Sequence, residues 1–135
     1  MVNATKPRPP VIRNVFYAFI VGGLICAFGQ FLINVLISYD FNPTDASAIA
    51  ASILIAIAAI LTGIGVWDKI GKFAGAGAIV PITGFANSMV AAALEYKREG
   101  MIFGVGAKLF SIAGPVLVFG IVTSWLIGLL AYLFS

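Results

Sequence analysis

The sequence predicts an all-α integral membrane protein with three full transmembrane helices plus a re-entrant broken helical segment. Three observations carry that prediction. The 135 residues are 61% hydrophobic and only 10% charged, whereas ordinary soluble domains carry roughly 25% charged residues. Three apolar runs are long enough to cross the hydrocarbon core of a bilayer, about 30 Å thick. Ahead of the last run lies Ala74-Gly75-Ala76-Gly77-Ala78-Ile79-Val80-Pro81-Ile82-Thr83-Gly84-Phe85-Ala86-Asn87-Ser88, which is apolar yet interrupted by Gly, Pro, Thr, Asn and Ser. Lipid offers no hydrogen bonds, so broken backbone at membrane depth survives only where protein or a water-filled path covers it.

Residues 1–14 read as a disordered basic tail, because Lys6, Arg8 and Arg13 alternate with Pro7, Pro9 and Pro10 and proline at that density blocks helix and strand alike. Residues 15–135 form one membrane domain. Its first span covers about 15–38; the run Val15 to Ile37 is 23 residues, longer than a signal-peptide core, so it is expected to be retained. Asn42, Pro43 and Asp45 then mark a helix start, as cap, first-turn proline and acid at the positive end. The second span, about 46–66, is rich in alanine, and Ser52, Ala56, Ala59 and Gly63 are candidate packing positions. Small residues four apart let helices approach closely in lipid. Trp67 to Lys72 returns to an interface. The broken segment, about 78–94, holds 17 residues, a poor length for a span. The last span is expected over 109–134, either kinked at Pro115 or starting there as a helix of 20 residues.

Basic flanks stay on the cytoplasmic side. The N-terminal tail, residues 67–72 and the stretch holding Lys97, Arg98 and Lys108 all satisfy that rule only if the broken segment enters and leaves on one face. The expected topology is therefore multi-pass with a cytoplasmic N-terminus.

Composition also excludes chemistry. Histidine is absent and Cys26 is the single cysteine, so neither a disulfide within the chain nor a His/Cys metal site is available. The five acidic residues are scattered. No catalytic constellation, metal site or cofactor is expected, and no basic run interleaved with aromatics suggests nucleic acid.

Polar residues inside spans are where function is to be sought. Gln30 and Asn34 share one face of the first span, where they either bond between helices or line a path. In the broken segment, Pro81, Thr83, Gly84, Asn87 and Ser88 form a candidate transport path, since half-helix starts attract anionic groups in transporters. Lys108 stands either at a mouth or as a snorkelling anchor.

The run from Val21 through Cys26 to Gly29-Gln30, the Ala74–Ser88 run, and the block from Glu95 through Lys108 to Val116 resemble the SpoVAC/SpoVAEb family of endospore-forming bacteria, and the last block resembles its AC branch. The resemblance covers roughly residues 7–121. It implies a channel or transport subunit in the forespore inner membrane, moving dipicolinate with calcium during sporulation and germination. It also implies a mechanosensitive channel, and an oligomer with an AEb-type membrane subunit and the soluble SpoVAD. Three spans are too few to enclose a pore for a pyridine dicarboxylate, so homo- or hetero-oligomerisation is expected, with the second span as a contact face. A general mechanosensitive channel without solute preference, or a non-conducting scaffold for a soluble partner, are the alternatives.

Overall fold

The computed structural model describes residues 10–134, which are helical almost throughout and contain no strand. Of the expected tail, residues 1–9 lie outside the described residues. Val11 to Asn14 do not belong to it: helix α1 spans Val11–Ser38, because no further proline comes before Pro43 and the Pro10 carbonyl accepts the Asn14 amide at 3.0 Å.

α1 ends where Asp40 takes a positive φ of 66°. The Asp40 amide donates to Ile37 and the Phe41 amide to Leu36, the paired bonds of a Schellman ending, with Asp in the left-handed place more often held by Gly. α2 spans Pro43–Gly63 with Pro43 at its first position. Asn42 donates its side-chain amide to the Asp45 carboxylate at 2.8 Å, tying the entry together. A second Schellman ending closes α2, with Gly65 at φ 73° and bonds from Gly65 to Thr62 and Val66 to Leu61. The span thus lies three residues earlier at each end than the expected 46–66, as Pro43 can begin a helix and Gly65 can end one.

Two short helices follow, α3 over Trp67–Ala74 and α4 over Ala76–Ile79. α5 then begins at Ile82, directly after Pro81, and runs to Glu95. The expected broken segment is therefore a single turn, a break at Val80–Pro81, and a helix of 14 residues. At 1.5 Å per residue that helix is about 21 Å long, short of the bilayer core. Among the described residues, three helical stretches are long and apolar enough to span: Val11–Ser38, Pro43–Gly63 and Met101–Phe134.

The chain divides between Asn87 and Ser88 into two compact units. In the first, the core is made of small residues around one large one: Ala58, Trp67, Ala74, Ala78 and Ala86 are buried, with Val21, Ile25, Leu61 and Ile70 packed against them. α2 turns Ala46, Ala50 and Ala58 inward, while Ser52, Ala56 and Gly63 are exposed and Ala59 is half-buried. The tightest contact joins α1 to α4. A Cβ on Gly77 would run into the Ala18 carbonyl oxygen and lie 2.8 Å from Ala18 Cα, and Gly22 faces Gly77 from the next turn of α1. Backbone meets backbone there.

In the second unit, the end of α5 continues as a 3₁₀ turn over Tyr96–Glu99 and a π-helical turn over Met101–Gly106. α6 follows without interruption over Ala107–Phe134 and buries no residue. The last helix starts at Ala107, neither at 109 nor at 115; Pro115 is carried inside it, as neighbouring groups allow in membrane helices.

Gly77→Ala is expected to lower stability by about 1–3 kcal/mol, because the colliding atoms are backbone and cannot swing away. Gly23→Ala, where an added Cβ meets nothing within 4 Å, should stay within about 0.5 kcal/mol of wild type. Thermal unfolding of the detergent-purified protein compares the two.

Candidate functional site

The start of α5 gathers the polar groups of the first unit. Pro81 cannot continue α4, and its carbonyl accepts the Gly84 amide at 2.8 Å, so α5 opens on a tight turn. Gly84 is required there: a Cβ would strike the Ile79 carbonyl oxygen and come 2.6 Å from that of Ala78. This turn brings Thr83 into the interior at 3% exposure, and one helical turn later Asn87 lies half-buried on the same face.

Asn87 meets α2. Thr62 Oγ1 lies 2.9 Å from Asn87 Oδ1 and 2.6 Å from the Ala58 carbonyl oxygen. One hydroxyl proton serves one acceptor at a time. With the amide turned over, Asn87 Nδ2 donates to Thr62 and leaves the hydroxyl proton to Ala58, which satisfies all three groups. Thr83 differs: its hydroxyl is buried and has no hydrogen-bond partner among the described residues. It lines a groove of about 280 Å³ whose other walls include Leu24 and Phe28 of α1, Leu54 and Ile57 of α2, and Trp67. No wall residue is ionisable. The groove is thus neutral and apolar but for Thr83; Asn87 and Thr62 are bonded to each other beside it and are not among its walls.

The other candidates stand elsewhere. Gln30 donates to Asn34 at 2.9 Å, and both are exposed on α1; neither lines the groove that holds Thr83. Pro81 faces a separate groove beside Ala18 and Gly22. Ser88 begins the second unit and is half-buried. In that unit the Lys108 ammonium sits 4.3 Å from the centre of the Tyr96 ring, a cation–π contact. Thr62 escaped the sequence reading. As a hydroxyl inside an apolar span it carried the same signal as Asn34, but its partner lies 25 residues away, beyond any helical spacing.

The model of a family described as SpoVAC/SpoVAEB sporulation membrane protein matches residues 14–130. Stage V sporulation protein AC of Bacillus subtilis (strain 168) is 52% identical over 135 residues, spanning 99% of this chain and 90% of that protein. No solved structure matches the chain.

Thr62→Val is expected to destabilise the fold by about 0.6 kcal/mol, the typical worth of an interhelical bond in a membrane. Thr83→Val keeps the shape and removes an unpartnered hydroxyl, so it should be neutral or stabilising. Equal losses in thermal unfolding would mean that Thr83 has a partner after all.

Proposed function

This chain belongs to the SpoVAC/SpoVAEB family of sporulation membrane proteins, and from that premise we propose that it is a channel or transport subunit moving dipicolinate, as its calcium chelate, across the spore inner membrane. The observation that carries this reading is the neutral polar row of Thr83, Asn87 and Thr62 beside the break at Pro81. Irregular backbone and buried polar groups at membrane depth are retained where a polar path needs them.

Charge favours the chelate over the free acid. A dicarboxylate carries two negative charges, and one calcium ion cancels them. Moving an uncompensated dianion past apolar walls is prohibitively costly, whereas a neutral complex leaves only its dipoles and lone pairs to be satisfied. Threonine and asparagine side chains supply donors and acceptors of that kind without holding the cation fast.

The groove is open on one side, so a closed path requires further subunits: other copies of this chain, an AEb-type membrane subunit, and SpoVAD as the soluble partner. The membrane in question is the forespore inner membrane, with the N-terminus on the cytoplasmic side. A stretch-activated channel of the same architecture would need no partner and would pass simple salts when the bilayer is tensed.

The test is dipicolinate content in spores lacking the gene and in spores carrying a restored copy. Deletion is expected to leave spores poor in dipicolinate, wild type to restore them, and an equally abundant Asn87→Leu protein not to. Rescue by Asn87→Leu would remove Asn87 from the path. Normal dipicolinate in the deletion strain, with no second copy present, would overturn the transport reading in favour of a general channel.

A further inference from the structure

At the start of α1 a notch of about 260 Å³ is formed by Arg13, Asn14 and Tyr17 of α1 with Lys72 and Phe73 of α3. Two cations, a carboxamide and a phenol meet there, and the Tyr17 and Phe73 rings pack 4.4 Å apart as its floor. The acid closest in sequence, Asp68, stands one turn before Lys72 on α3 and does not line the notch. The charge is therefore uncompensated by the protein's own wall.

The notch is not isolated. Asn14, Lys72 and Phe73 also line an adjoining hollow of about 350 Å³ that reaches Val15 and Ala18. From Ala18 and Ala76 a further groove continues past Gly22 and Gly23 to Cys26. These three spaces share residues end to end and follow α1 from its first turns into the span. From Asn14 to Cys26 the helix rises roughly 18 Å, close to the ~15 Å depth of one leaflet's hydrocarbon. The polar end is dicationic; the remainder is apolar and floored by the Gly22–Gly77 contact.

We infer that this continuous notch and groove binds one anionic phospholipid, its phosphate between Arg13 and Lys72 and an acyl chain laid along α1 over Ala18, Gly22 and Gly23. Neither half alone specifies that occupant. A small anion would use the notch and leave the groove empty, and a neutral lipid would fill the groove without meeting the two cations. Charge complementarity and the leaflet-deep length together select an anionic amphiphile. The site is independent of which solute the protein passes. It places a lipid against α4 and Pro81, immediately ahead of the break.

The full chain, purified in detergent, is titrated with dioleoylphosphatidylglycerol and with dioleoylphosphatidylcholine, and bound lipid is counted by native mass spectrometry at low salt. Two basic contacts predict a preference of roughly 30-fold for the anionic lipid. Arg13→Gln/Lys72→Gln should bring the two lipids close to parity, Arg13→Lys/Lys72→Arg should keep the preference, and Lys69→Gln, outside the notch, should leave it unchanged. Gly23→Leu tests the other half: it fills the groove without touching the charges and should weaken both lipids. Circular dichroism confirms that each variant retains its helices. Three results would each overturn the inference: equal binding of the two lipids by wild type, a preference that persists in the helical Arg13→Gln/Lys72→Gln protein, or displacement of the lipid by glycerophosphate at matched concentration.

Discussion

Everything in the first unit depends on one backbone contact, Gly77 against Ala18 and Gly22. Helices in lipid gain nothing from hiding apolar surface, so they associate through close packing and hydrogen bonds. A core of alanines around a single tryptophan has little side-chain volume with which to interlock. It holds only if the backbones come within touching distance, and α4 reaches α1 because Gly77 has no side chain. Pro81 ends α4 for local reasons, and the contact at Gly77 places that break, and with it the start of α5, beside α1.

From that placement the polar site follows. Gly84 lets α5 turn back against the Ala78 and Ile79 carbonyls, and the turn fixes which way the first residues of α5 face. Thr83 and Asn87, one turn apart, then look toward α1 and α2, and Thr62 completes the row. The arrangement is electrically neutral, which separates it from the charged notch at the head of α1. The two regions therefore favour different chemistry: one suits dipoles and compensated charge, the other suits an anion with an apolar tail.

The fold class was legible because it rests on local quantities. Apolar runs of sufficient length announce spans, and Pro81 with Gly84 announces the break. Even the shifts in helix ends have local causes, since Pro10, Pro43 and Gly65 are the residues that begin or end helices. The site was legible only by half. Thr83 and Asn87 stood out as polar residues in an interrupted segment, but the bond from Thr62 to Asn87 is a tertiary fact. Arg13 and Lys72 were visible only as topology signals, since nothing in their spacing says that α3 folds back beside the start of α1. Gln30 and Asn34 show the reverse: their four-residue spacing foretold a shared face, and they use it on each other.

A buried hydroxyl without a partner among the described residues is an asymmetric thing to build into a membrane protein. Leaving the Thr83 oxygen without a partner costs about 1–3 kcal/mol, a bias of roughly 5- to 150-fold toward any state that supplies one. The groove therefore asks opposite things of whatever occupies it: its alkyl walls favour an apolar group, and the Thr83 hydroxyl favours one that can hydrogen-bond.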